Sequence, residues 1–243
     1  MPGQQWGIDC SYDELTPREA HDIRAAGVEV FGQCLWTGAL QPPVAINNIR
    51  VAQKAGMIPF GYLSVSPRGP DWSGAEHVKA GFDPLPDDVK QLMRHVALDV
   101  ELEDLLYEFH VLPGINALAA RGWRRFAYTS YNAWVNLLGN PTPPEDTALW
   151  NAYWDGDPDY DFVRLPFGRG GFTLIGEQFT GGQNVEGQWA DRNRFDADFF
   201  VAPPVPPLPG RVITGIQQNF HDGDKVKITL TYSDFSEPKV VEA

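Results

Sequence analysis

His95–Glu103 reads HVALDVELE, an apolar run that ends in acids. Read as a strand, it sends alternate side chains to opposite faces, so Asp99 and Glu101 point the same way, roughly 6–7 Å apart along the chain. Burying an unpaired carboxylate is costly, so two of them at the tip of an apolar strand call for a reason. Two carboxylates on one face at this spacing can divide acid and base roles in glycoside hydrolysis. The same residues also fit a plain strand end, with Glu101 capping the helix that follows.

Working outward from this strand, apolar runs alternate with helical ones. WGIDC (6–10), VEVFGQCLW (28–36) and MIPFGYLSV (57–65) precede it as strands. Between them lie a helix from Thr16, an N-cap with Pro17 behind it, to about Gly27, and a second over 43–56. A further helix is expected around 74–81, and one over 103–121 broken at Pro113. RRFAYTS (124–130), TALWNAYW (147–154), TLIGEQFT (173–180) and a weaker GQWADRN (187–193) supply strands five to eight. Strands that alternate with helices imply parallel βα units, and eight of them close a barrel whose site lies at the C-terminal strand ends. The late crossovers are short and rich in Gly, Pro and Asp. The expected fold is therefore an α/β, incomplete (β/α)8 barrel over residues 1–200. A Pro-rich linker, VAPPVPPLPG (201–210), and a C-terminal β-hairpin extension (211–243) turning at HDGD complete the chain.

Composition narrows the function. The net charge is −13 with no extended basic cluster, which argues against a nucleic-acid partner. No run approaches the roughly 18 apolar residues of a membrane helix. The opening MPGQQWGIDCSYDEL lacks the basic and apolar regions of a secretory leader. Cys10 and Cys34 make no CxxC pair, and the five histidines show no metal-binding spacing. Neither metal nor nucleotide cofactor is expected. Cys10 and Cys34 lie on adjacent strands, which leaves a bridge open, but they read better as two buried thiols. Eight Trp, eight Tyr and fourteen Phe exceed the ordinary needs of a barrel core, which fits either rings that face a sugar or a large core with a few solvent-facing rings.

The strand tips carry Asp9, Trp36, Tyr62, Asp99 with Glu101, Tyr128, Tyr153 or Trp154, Gln178 and Asp191. If the barrel closes, the eighth strand lies beside the first and brings Asp191 next to Asp9, with Asp99 and Glu101 across the mouth. Four carboxylates in one mouth repel, so at least one should hold its proton unusually well. A general acid for glycosidic cleavage needs that shift.

GIDCSY (7–12), ALDVE (97–101), YTSYNAW (128–134), LWNAYW (149–154) and QFTGGQNVEGQWADRN (178–193) resemble the family 25 glycoside hydrolases, the lysozymes or muramidases common in bacteriophages and bacteria. The resemblance covers about residues 4–200, in the family's order. It implies a flattened β/α barrel that cleaves the β-1,4 bond between N-acetylmuramic acid and N-acetylglucosamine in peptidoglycan glycan strands. It also implies that Glu101 is the proton donor and that Asp99 stabilises the cationic transition state or positions the acetamido group. Asp9 and Asp191 match the family's other two acids, and Tyr62, Tyr128 and Trp154 fall where sugar-contacting aromatics are expected. Two departures stand out. GYLSV (61–65) lacks the aromatic or His often found after the Tyr, and ADRN (190–193) replaces the usual VDLN, placing Arg192 beside the acids. The chain then reads as a phage or prophage product, either a free lysin or a virion tail domain whose hairpin docks on other tail proteins. Two rivals stand beside it: a non-catalytic wall-binding or structural virion protein on the same barrel, and a glycosidase acting on another polysaccharide.

Overall fold

A computed structural model describes residues 4–67, 72–158, 167–201, 213–220, 226–232 and 239–242. β1 (Gln4–Cys10) runs into α1 (Pro17–Ala25). Thr16 accepts from the Glu19 N–H while the Glu19 carboxylate accepts from the Thr16 N–H, so this capping box satisfies two otherwise orphaned donors. β2 (Val28–Trp36), α2 (Ala45–Lys54), β3 (Ile58–Ser64), α3 (Gly74–Phe82), α4 (Asp87–Leu92) and β4 (Val96–Val100) follow. A π-helical turn, Tyr107–Val111, leads into α5 (Leu112–Ala120). Pro113 sits in the first turn of α5, where its missing N–H costs nothing, and so starts this helix rather than breaking it. β5 (Phe126–Ser130), β6 (Thr147–Ala152), β7 (Phe172–Val185), β8 (Gln188–Asp196) and α6 (Ala197–Val201) complete the first unit.

β1 to β8 close a barrel in sequence order. Each neighbouring pair from β1 to β7 is parallel, but β8 pairs antiparallel with both β7 and β1. This corrects the expectation of eight parallel strands. Val185 pairs with Gln188, so only Glu186 and Gly187 link β7 to β8. Both have positive φ, 51° and 97°, as a type I′ hairpin requires. Two residues can join antiparallel strands, whereas a parallel crossover needs a dozen or more. The helical layer thins in the same region: among the described residues the β6–β7 connection holds only a 3-10 turn, Phe167–Gly170.

The barrel interior is aromatic. Phe60 meets Trp150 and Phe200 with ring centroids 5.3 Å apart in each case, and Phe195 lies 5.0 Å from Phe200. α6 closes the end opposite the strand tips. There the buried His95, just before β4, stacks on Phe199 at 4.2 Å, and its Nε2 bonds the Phe199 carbonyl at 2.9 Å. Much of the aromatic excess is thus core: Trp36, Trp134 and Trp150 are all buried. Cys10 and Cys34 are buried free thiols, and burial pushes both thiols up. Among the described residues no helix is long and apolar enough to cross a membrane.

The chain divides into two compact units, Met1–Pro204 and Val205–Ala243. The second holds β9 (Ile213–Phe220), β10 (Val226–Tyr232) and β11 (Lys239–Glu242), antiparallel in the order β11-β10-β9. The sequence pattern led to two strands here. The third is a four-residue piece pairing with Lys227–Leu230, too short for an alternation to show. The Pro-rich stretch after Val201 and the HDGD turn lie outside the described residues.

Candidate active site

The antiparallel course of β8 decides the site. Because β8 starts at the mouth where the parallel strands end, Asp191 near its beginning lies directly opposite Asp9 on β1. The sequence reading brought these two acids together with the wrong strand direction.

Asp9 is buried, and its Oδ2 accepts from Asn193 Nδ2 at 2.7 Å and from Gln178 Nε2 at 2.9 Å. The same Gln178 nitrogen reaches Asp191 Oδ2 at 3.2 Å, and the Gly182 N–H donates to Asp191 Oδ1. Gln178 Oε1 accepts from the Tyr128 hydroxyl and from Trp154 Nε1, both at 2.6 Å. An indole N–H only donates, so the amide oxygen must face Trp154 and the NH2 group must face the two carboxylates. Asn193 is fixed likewise, because its Oδ1 accepts from Trp150 Nε1 at 2.8 Å. Gln178, at a strand tip, is a buried clamp whose hydrogen-bonding groups are taken up by protein.

Across the mouth, Asp99 lies in register with Ser64 on β3 and Tyr128 on β5, and the Ser64 hydroxyl donates to its carboxylate. Burial raises Asp99 to about 6, against the opposing Ser64 hydrogen bond. Burial and then the facing Asp191 charge push Asp9 up to about 7, against the bonds from Asn193 and Gln178. Asp191 is raised by burial and held down by the Gly182 N–H. Glu101, just past the end of β4, has an exposed residue surface although the mouth surrounds its carboxyl. Loss of solvation and then the Asp99 charge push it up to about 8. The result is two kinds of carboxyl in one mouth. Glu101 keeps its proton where Asp99 has lost its own.

A cleft of about 450 Å³ opens beside Glu101, lined by Ser130, Tyr131, Asn132, Tyr153 and Trp154 among others. Its exposed rings are Trp154, Tyr131 and Tyr153. Tyr62, Tyr128 and Trp36 sit inside the wall instead. The Tyr62 hydroxyl bonds the Cys10 carbonyl and Ser11, and Trp36 Nε1 donates to His77 Nδ1 at 3.1 Å. Tyr128 reaches the site through its hydroxyl alone.

Arg192 is not beside the acids. Alternation along β8 puts Asp191 and Asn193 inside and Arg192 outside, where it lines a groove with Trp6, Ile8 and Val28. Sequence reading missed Asn193 and Ser64. The signals were there: Asn193 is two residues from Asp191 on the same strand face, and Ser64 closes the strand next to β4. Among the described residues no group of three or more His, Cys, Asp or Glu is arranged to hold a metal ion.

No protein-family model and no curated protein sequence matches the chain. Solved structures do. A bacterial lysozyme from Streptomyces coelicolor superposes with a TM-score of 0.66 at 19% identity, over 84% of this chain and 98% of its own. A muramidase from Acremonium alcalophilum gives 0.63 at 18% identity, over 80% and 94%. A family 25 glycosyl hydrolase from Bacillus anthracis gives 0.62 at 16%, over 79% and 88%. At these identities what is shared is the architecture, and the chain carries the barrel fold of the family 25 glycoside hydrolases.

Proposed function

We propose that this chain is a muramidase, hydrolysing the β-1,4 bond between N-acetylmuramic acid and N-acetylglucosamine in peptidoglycan. The observation that carries the reading is the convergence of Asp9, Asp99, Glu101 and Asp191 on one aromatic-rimmed mouth. Lysozymes and muramidases on the same barrel support it. Glu101, protonated, donates to the glycosidic oxygen as the bond breaks, and water then adds to the sugar carbon and gives up a proton to the Glu101 carboxylate, which restores the donor. Asp99, ionised and steadied by Ser64, faces the positive charge that develops on the sugar. Asp9 and Asp191, clamped by Gln178, titrate as a pair and keep negative charge near the site while resisting full ionisation. A phage setting, as a free lysin or a virion tail component, belongs to the same proposal. The catalytic domain of an endolysin from a Listeria monocytogenes phage, TM-score 0.56 at 13% identity over 82% of this chain and 96% of its own, supports that setting.

The assignment fixes a pH profile. Activity requires Asp99 ionised and Glu101 protonated, so the rate on purified walls should be bell-shaped, rising through about 6 and falling through about 8. A rate that keeps climbing to pH ~9 contradicts the assignment.

A further inference from the structure

The β7–β8 hairpin continues past the barrel mouth. β7 last pairs with β6 at Gln178 and β8 first pairs with β1 at Asp191, yet the two strands stay paired with each other out to Val185 and Gln188. Register shifts between Gln178 and Gln183 mark a bulge in β7 that contains Gly181 and Gly182.

Two exposed tryptophans flank this bulge. Trp189 is 58% exposed and Trp154 64%. A Cβ on Gly182 would sit 3.3 Å from the Trp189 indole, and one on Gly181 would sit 3.2 Å from the Trp154 indole. The rings therefore rest on bare backbone, and the Gly182 N–H between them donates to Asp191. Trp189 precedes Asp191 by two positions, so strand alternation sets it on the carboxylate's face, roughly 6–7 Å further along. Trp154 is held in orientation by its bond to Gln178. Large exposed rings continuous with a cleft mark a ligand surface, and an indole loses little side-chain freedom when something stacks on it.

Stacked ligands of two kinds fit indoles: nucleobases and the apolar faces of sugar rings. A phosphate backbone would have to pass four carboxylates on a chain of net charge −13, which excludes the first. We propose that Trp189 and Trp154, on either side of the Gly181–Gly182 bulge, form a glycan track that extends the cleft past Asp191. It takes successive sugar rings of a polysaccharide. The identity of that polymer as β-linked, N-acetylated peptidoglycan rests on the muramidase reading; the track itself rests on the two rings.

The test uses the full chain and insoluble purified peptidoglycan, scored by cosedimentation and by rate of wall hydrolysis. Trp189→Ala should weaken cosedimentation and raise KM by about tenfold, the loss of one aromatic stacking contact, with kcat within about twofold. Trp189→Phe, which keeps a ring on Gly182, should restore most of the affinity. Unchanged cosedimentation and KM in Trp189→Ala overturns the track. So does a loss confined to kcat, the signature of disturbing Asp191 through Gly182, or a Trp189→Phe chain that binds as poorly as Trp189→Ala. Wild type that cleaves walls while Trp189→Ala matches it overturns the track alone. Wild type that neither sediments with walls nor cleaves them overturns the muramidase reading as well.

Discussion

Glu101→Gln should lower the rate of wall hydrolysis by ~10²–10⁴-fold, the range for losing a general acid, and should stabilise the fold at the same time. The second effect follows from linkage. Glu101 has its folded pKa raised from 4.5 to about 8, so the folded chain binds more protons than the unfolded chain between those values. Its contribution to stability is full below the unfolded value and is lost as pH rises through the folded one. Replacing the charge removes that loss. The thermal midpoint of Glu101→Gln should therefore exceed wild type at about pH 8 and match it near pH 4, where the carboxyl is protonated in either state. The two readouts together separate a proton donor from a passive rim acid. A variant with near wild-type turnover sinks the assignment. One with lost turnover and a lower midpoint at both pH values marks Glu101 as structural.

Gly74→Ala should be the most damaging conservative change in the helical layer. A Cβ at Gly74 would lie 1.7 Å from the His110 carbonyl oxygen and 2.7 Å from the Gly114 N. Both are backbone atoms, so no rotamer change relieves the overlap, and α3 must move off the π-helical turn and α5. The expected cost is about 3 kcal/mol, at the upper end for overpacking. For a domain of this size that lowers the midpoint by roughly 6–12 °C. The site should suffer too, because α3 carries His77, which holds the Trp36 indole at the end of β2. A midpoint within about a degree of wild type in a thermal melt would show that the helices have room to part.

The acids on β1 and β4 were legible because they end apolar strands, where a charge is conspicuous. Asp191 was legible through the assumption of barrel closure and through the family resemblance of its segment. Its strand, QWADRNRFD, is polar enough to hide both its length and its direction, and Gly187 reads as the first residue of the strand rather than as half of a two-residue turn with Glu186. That turn is what reverses β8 and sends Arg192 outward. The clamp was harder to foresee. Gln178 was noticed at a strand tip, but whether an amide faces substrate or protein depends on partners spread from Asp9 to Asp191, which no local pattern brings together. Aromatic content misled in the opposite sense. Tyr62 and Trp36 fit sugar platforms by position, yet the narrow barrel needs them as wall, and the exposed rings around the cleft and the β7 bulge are Tyr131, Tyr153, Trp154 and Trp189. α4 was missed because it is a six-residue helix with no periodicity to read.

The central claim is the bond that is cut, and mass spectrometry of the fragments released from purified walls reads it directly. A muramidase using Glu101 as donor leaves every new reducing end on N-acetylmuramic acid, and Glu101→Gln releases such ends ~10²–10⁴-fold more slowly. New reducing ends on N-acetylglucosamine would contradict the bond assignment, and intact glycan with the wild-type chain would contradict catalysis on this wall.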